Sequence, residues 1–240
     1  MRSTGSVVAV VPARAGSKGI PGKNLRAVAG RSLVRRAVEA ALGATSIDAV
    51  VVSTDGDAIA AEAELAGARV VRRPTELAGD EASSESALLH VLDELATAGE
   101  EPEVVVFLQA TSPFTDPADL DAAVARVRDG LADWVFAATP SHAFLGRIDR
   151  EPEGAGTARA VNHDAAVRPR RQDREAEYRE TGAFYVFRTA AFRQHRHRFH
   201  GRMELVVVDP RGAIDIDDPG DLAAAEALAL HLDPALNGAP

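Results

Sequence analysis

No cysteine occurs in the 240 residues, so disulfides, thiolate metal ligands and a cysteine nucleophile are excluded, and the composition suits a reducing compartment. Long apolar runs are missing as well. Charged residues interrupt every hydrophobic stretch well short of the ~20 residues that a bilayer span needs, and no signal-like apolar region follows Met1. These absences predict a cytoplasmic protein without a membrane partner. Excess positive charge is the third absence. With a net charge of −9 the chain lacks the basic field that general binding to nucleic acid or acidic lipid requires, so a local cluster of cations becomes informative. There is no internal repeat and no low-complexity tract. What the chain has is enough length to bury about 70% of its unfolded surface in one domain.

Strand-like apolar runs recur at 7–11, 49–53, 69–71, 104–108 and 134–138, with apolar residues at helical spacing between them. That alternation predicts a mainly parallel sheet. Leu33, Val34, Ala37, Val38 and Ala41 share one helix face, and Ala87, Leu88, Val91, Leu92 and Leu95 share another behind Ser84 as cap. Asp116 and Pro117 start a third helix, with Leu120, Val124, Val127 and Leu131 on one face, and Asp218-Pro219 starts the last. From 139 to 180 the periodicity dissolves, which reads as a lid or arm. Apolar strands return at 182–187 and 205–208. Ligands of open α/β sheets sit at the carboxyl ends of strands, so the loops 13–24, 53–55 and 109–112 are expected on one rim.

The first of those loops combines Gly16, Ser17, Gly19 and Gly22 with the cations Arg14, Lys18 and Lys23, directly after an apolar strand. Glycines let backbone N–H groups approach phosphate oxygens, and three cations neutralise most of a nucleoside triphosphate. A Walker loop fails, because Ser17 stands at its first glycine and Asn24 at its magnesium hydroxyl. A dinucleotide fingerprint fails on the glycine spacing and on Pro21. The competing reading is a solvated surface loop.

Asp215-Ile216-Asp217 is the second signal. In an extended chain residues two apart face the same side, so two carboxylates meet one space while Ile216 faces the core. Such a pair suits Mg²⁺, which takes one or two carboxylates plus substrate phosphates. Helix capping is the alternative, but Asp218 already fits the cap before Pro219. His195, His197 and His200 read as basic surface, since His-x-His alone is a weak zinc signature.

The segments PARAGSKGIPGKN (12–24), VSTD (52–55), RRPTELAGDEASS (72–84), LQATSPF (108–114), RPRRQD (168–173), TGAFY (181–185) and AIDID (213–217), in this order, resemble the acylneuraminate cytidylyltransferases, the CMP-sialic acid synthetases. The resemblance implies one domain over 1–240, a three-layer α/β fold of the nucleotide-diphospho-sugar transferase type, with a small dimerisation arm at roughly 140–203. It implies CTP and a nonulosonic acid as partners and a homodimer as the assembly. On it, Arg14, Gly16, Ser17, Lys18, Lys23, Asn24, Arg73, Ala82 and Ser84 would hold the nucleotide, Arg14, Lys18 and Lys23 on the phosphates. Asp215 and Asp217 would carry Mg²⁺, with Mn²⁺ able to substitute. Gln109, Arg171, Gly182 and Tyr185 would line the sugar-acid pocket, and Phe199 matches an aromatic that reaches the partner's site.

A guanidinium fork suits the sugar carboxylate, which supports Arg171, although Arg168, Arg170, Arg171 and Arg174 also read as a solvated basic face. Phe199 reads equally as ordinary arm packing. Thr181 stands where relatives often carry Asn, and no lysine of the arm is matched around 144–147. The substrate therefore ranges over sialic acid, its deaminated form and a bacterial diamino nonulosonate. The implied reaction is attack of the anomeric hydroxyl on the α-phosphate of CTP. Its proton has two candidate acceptors, a carboxylate of the Asp215/Asp217 pair or a water on the metal ion. The alternatives are a cytidylyltransferase of the same fold for an eight-carbon sugar acid or a phosphonate, and a non-catalytic nucleotide-binding module.

Overall fold

The computed structural model describes residues 5–17, 19–79, 82–149, 156–167 and 169–233. In chain order the elements are β1 (Val7–Pro12), β2 (Ala27–Val28), β3 (Arg31–Ser32), α1 (Leu33–Gly43), β4 (Ala49–Thr54), α2 (Asp57–Leu65), β5 (Arg69–Arg72) and α3 (Ser84–Thr97). There follow β6 (Val104–Leu108), α4 (Pro117–Arg128), β7 (Trp134–Ser141), β8 (Gly146–Asp149), β9 (Thr157–Ala160), β10 (Glu177–Arg188), α5 (Thr189–His195), β11 (Met203–Val207) and α6 (Pro219–Leu232). Seven strands form one sheet in the order β11-β7-β10-β6-β1-β4-β5. Every pairing is parallel except those of β10, which runs antiparallel to both β6 and β7.

Strands covered by helices on both faces lose the polar alternation of a half-exposed sheet, which is why β1 is mostly valine and β6 is three valines followed by Phe107 and Leu108. One core lies against α1, α2, α4 and α6, with Val7, Ala9, Val11, Val106 and Phe184 pointing into it. The other lies against α3 and α5 and takes Val8, Val10, Phe107, Tyr185 and Phe187. The expected α1 and α3 stripes are all buried. The α4 stripe holds for Leu120, Val124 and Val127, but Leu131 falls beyond the helix end and is half exposed.

Local capping sets the helix starts. Asp116 accepts from Ala118 N–H ahead of Pro117, and Asp218 from Gly220 and Asp221 N–H ahead of Pro219. For α3 the cap is Ser83, not Ser84. Ser83 has the extended backbone of a cap and its hydroxyl accepts from Ser86 N–H, whereas Ser84 is already the first helical residue.

The 139–180 region is more regular than its sequence suggests. β7 runs on to Ser141 and pairs there with the start of β10, Ser141 opposite Glu177 and Ala138 opposite Glu180. β8 and β9 form a separate two-stranded sheet. β8, β9 and the first four residues of β10 are polar and largely exposed, so no apolar run marks them. The β7–β10 register shifts between Glu180 and Tyr185, and Gly182 sits in that irregularity at φ +77°, where a side chain would be strained.

The turn feeding β4 is tied to α4 by Asp121, which accepts from the backbone N–H and the hydroxyl of both Thr45 and Ser46. Partial burial pushes its carboxyl pKa up, but the bonds from Ser46 and Thr45 outweigh that and hold it below the ordinary value. Asp121→Ala is therefore expected to destabilise the protein by about 1–2 kcal/mol at pH 7, the low end for charged hydrogen bonds because water screens the site. A depressed folded pKa stabilises fully above the unfolded value of ~3.9 and ceases to do so as pH falls through the folded value. Urea unfolding of both proteins should thus show the gap closing below about pH 4.

Candidate active site

The parallel pairs β1–β4 and β1–β6 bring Pro12, Thr54 and Leu108 to one edge, so the loops that follow them meet there. The first loop is folded back by named bonds. Ala13 N–H donates to Ser53 O at 2.9 Å, Ala15 N–H to Asp55 Oδ1 at 2.8 Å, and Asn24 Nδ2 to Arg14 O at 2.9 Å. Arg14 Nη1 reaches Gly79 O at 2.9 Å, which ties this loop to the one before α3. Asn24 is buried, which makes it a strut of the loop.

Arg73 comes in from the residue after β5. It is 9% exposed, and its guanidinium donates to Ser53 Oγ at 3.1 Å and to Ser53 O at 2.7 Å. Burial lowers its pKa from the ordinary arginine value, Asp55 opposes that shift, and the Arg14 cation adds to it. A buried cation pushed this way is stabilised by an arriving anion.

A cleft of about 360 Å³ opens between these loops and α3. Of the expected nucleotide residues, Arg14, Ser17, Lys23, Asn24, Arg73, Ala82 and Ser84 line it, together with Gln109 and Asp217. Gly16 is exposed on the same loop outside that lining, and Lys18 lies outside the described residues. A larger cavity of about 630 Å³ lies against α1, α4 and α6. Its Arg31 and Arg36 are already paired with Asp233, and it takes nothing from the glycine loop, so the smaller cleft is the one that gathers the cations expected to meet phosphate.

The 215–217 segment is mounted on the same rim. Ile216 is fully buried, and its N–H donates to Thr111 O at 3.0 Å, leaving Asp215 and Asp217 exposed on either side. Asp217 Oδ1 accepts from Lys23 Nζ at 3.0 Å. Its carbonyl lies 2.1 Å from where a Cβ on Gly19 would stand, so only glycine lets the loop pass this closely. Capping is accounted for elsewhere, by Asp218 and by Asp221, whose carboxylate accepts from the N–H of Asp217 and of Asp218 at 2.9 Å each. Those two bonds hold the Asp221 pKa below the ordinary carboxylate value. Among the described residues no three acidic or histidine side chains converge as a metal cage.

On the other side of the cleft, Gly182 lies between Gln109 and Asp215. A Cβ there would be 3.5 Å from Gln109 Nε2 and 3.7 Å from Asp215 Oδ2. The Thr181 hydroxyl is committed to the backbone, donating to Ala137 O and accepting from Ala183 N–H. Tyr185 is buried behind Phe107, stacked at 5.6 Å, and its hydroxyl donates to Glu180. Burial first, then Glu180, raises the phenol's pKa. Phe199 packs on Trp134 of its own chain at 4.8 Å and stays 42% exposed. Arg171 is exposed in the turn Arg171–Asp173 and does not line the cleft.

Asp221 is the site residue that sequence reasoning passed over, whereas Asp55 and Thr111 fall in the loops 53–55 and 109–112 expected on the rim, without a role assigned to either side chain. Thr111 lines the cleft, and its buried hydroxyl has no hydrogen-bond partner among the described residues. Asp221 had a signal, its place three residues after the Asp218 cap in a capping box.

Over 226 residues the chain is 34% identical to N-acylneuraminate cytidylyltransferase of Oncorhynchus mykiss, an alignment covering 94% of this chain and 50% of that protein. It is 28% identical to pseudaminic acid cytidylyltransferase of Campylobacter jejuni, covering 91% of this chain and 94% of that one. The chain spans about half the length of the N-acylneuraminate cytidylyltransferases it matches. Its fold matches a solved CMP:2-keto-3-deoxy-manno-octonic acid synthetase complexed with CTP at a TM-score of 0.68, with 18% identity over 93% of this chain and 98% of that one. That likeness bears out the α/β fold with its mainly parallel sheet. The cytidylyltransferase profile matches residues 8–209, the stretch that takes in the glycine loop, the loops after β4 and β6 and nearly all of the seven-stranded sheet, and the chain belongs to the cytidylyltransferase family.

Proposed function

We propose that the protein transfers CMP from CTP to the anomeric hydroxyl of a sialic acid or related nonulosonic acid, releasing pyrophosphate. The observation that supports this best is the convergence of Arg14, Lys23, Arg73, Ser84, Gln109 and Asp217 on one cleft at the carboxyl rim of a parallel sheet. In this reading the triphosphate takes Lys23 from Asp217, and the base lies against Arg73 and the backbone at Ala82. The sugar hydroxyl attacks the α-phosphorus, the bond from that phosphorus to the pyrophosphate oxygen breaks, and the hydroxyl proton passes to water at the site or to a carboxylate oxygen of the Asp215/Asp217 pair that is left unengaged. Positioning and charge stabilisation are the protein's main contributions.

Asp215 and Asp217 would hold Mg²⁺, with Mn²⁺ able to substitute. The donor set fits, because Mg²⁺ is usually bound by one or two carboxylates and keeps its remaining positions for water and phosphate. When bound, the ion offsets charge gathering on the leaving pyrophosphate. Gln109 and Gly182 would shape the sugar side, with Arg171, Tyr185 and Phe199 as further contributors. For Arg171 and Phe199 that role needs the arm at roughly 140–203 to close over the cleft or a second chain to complete it. The proposal therefore includes a homodimer, and it places the enzyme in the cytoplasm, where a chain without cysteine needs no oxidising milieu.

Pyrophosphate release with CTP and a panel of nonulosonic acids, pseudaminic acid among them, tests the reading. CTP should be strongly preferred over UTP, ATP and GTP. Equal turnover of CTP and UTP would contradict a cytidylyltransferase. Asp215→Asn and Asp217→Asn should each lower kcat at least about 10²-fold and recover in part with raised Mg²⁺ or with Mn²⁺. Asp218→Asn should change it little, since Asn caps nearly as well as Asp. Near-normal Mg²⁺-dependent rates in all three would make the pair structural. Sedimentation of active protein at micromolar concentration should give about twice the 25.3 kDa chain mass, and a monomer mass would remove the shared site.

A further inference from the structure

Arg198 follows α5 and belongs to no motif, yet it sits at the junction of the two halves of the site. Its guanidinium carbon lies over three rings, 4.5 Å from Tyr185, 4.9 Å from Phe199 and 5.2 Å from Phe107. Its Nη1 donates to Ser84 Oγ at 3.0 Å and pairs with Glu85, and both charged side chains are largely buried, at 14% and 16% exposure. Its Nε–H is buried with no hydrogen-bond partner among the described residues. Ser84 and Phe107 line the nucleotide cleft, and Tyr185 and Phe199 stand on the side expected to take the sugar acid.

The hydrogen bonds around Ser84 fix its hydroxyl. One lone pair accepts from Arg198, and the proton points to Glu85 Oε2 at 3.2 Å. A serine in the first turn of a helix otherwise rotates freely or turns back to its own backbone. Arginine suits this task better than lysine, because its plane stacks on rings while its edge still donates. A guanidinium held on three aromatic faces costs a great deal to desolvate for a merely decorative surface pair, and replacing such a pair by apolar groups is often neutral for stability.

We propose that Arg198 is a positioning residue for the nucleotide. Through Glu85 and the Phe107–Tyr185 stack it presets the Ser84 hydroxyl and the first turn of α3 at the cleft wall, and so couples the sugar side to CTP binding. The inference rests on the CTP reading above.

The test is a double-mutant cycle on CTP affinity, measured by calorimetry with Mg²⁺ on the full chain. Arg198→Met and Ser84→Ala should each raise the CTP Kd about tenfold, and the double variant should stay within about twofold of Ser84→Ala alone. Additive losses near a hundredfold, or an unchanged Kd in Arg198→Met, overturn the proposal. Arg198→Met with Glu85→Gln removes both buried charges. Its melting temperature should return toward wild type while the Kd stays raised, and recovery of both together makes the pair purely structural. Should the Met variant not fold, Arg198→Lys replaces it, with a Kd raised at least threefold expected and a wild-type Kd overturning the inference. Wild-type protein that fails to bind CTP defeats the cytidylyltransferase reading itself. Normal wild-type binding with unaltered variants defeats only the role of Arg198.

Discussion

The site depends on the burial of Ile216. Its side chain is fully enclosed in the α1–α4 core, and its N–H is spent on Thr111 O. Burying an isoleucine contributes roughly 1.5–3 kcal/mol, enough to hold a segment with no regular secondary structure at one height against the rim. Once Ile216 is seated, Asp215 and Asp217 have no choice but to face outward. Asp217 then meets Lys23, a residue 194 positions earlier in the chain. Removing that apolar anchor would leave two carboxylates on a loose loop.

Electrostatics gives the cleft its sign. In a chain with net charge −9, Arg14, Lys23 and Arg73 are drawn to one wall, and Arg73 is buried among neutral acceptors of Ser53. Asp217 offsets Lys23 and is largely solvated, its side chain 76% exposed. A pair with one partner this solvated is worth at most about 1 kcal/mol, so under the proposed function it would yield readily to a polyphosphate. The Asp221 carboxylate works differently. By accepting two backbone N–H groups it fixes the chain direction between Asp217 and α6, and so the direction in which the Asp217 side chain leaves.

The side proposed for the sugar acid is built less tightly than the side proposed for the nucleotide. Gln109, Gly182 and Asp215 are within contact range at a backbone irregularity, and Thr181 is used up by the β7 and β10 backbone. Tyr185 and Phe199 form an aromatic layer behind Phe107, with Arg198 inserted into it. The layer gives shape and rigidity, while polar recognition of an acid would come from what closes over it.

Local chemistry made much of this legible from the sequence. The valine-rich strands, the apolar stripes of α1 and α3, and the Asp-Pro starts of α4 and α6 depend only on neighbours a turn or a pleat away, so composition and spacing were sufficient. The glycine loop and the Asp215/Asp217 pair were visible for the same reason. Ser83 over Ser84 was not, because two adjacent serines differ there only in backbone angles. Nor were the long β7–β10 ribbon, the pairing of Asp233 with Arg36, or the place of Arg198 against Ser84, which join residues 36 to 197 positions apart. The sequence by itself determined the apolar strands of the central sheet, the Asp-Pro starts of α4 and α6 and which residues could hold phosphate. Which of those residues share a cleft was decided by the order and register of seven strands and by which side chains the core bought out of solution, because those depend on contacts that no local pattern encodes.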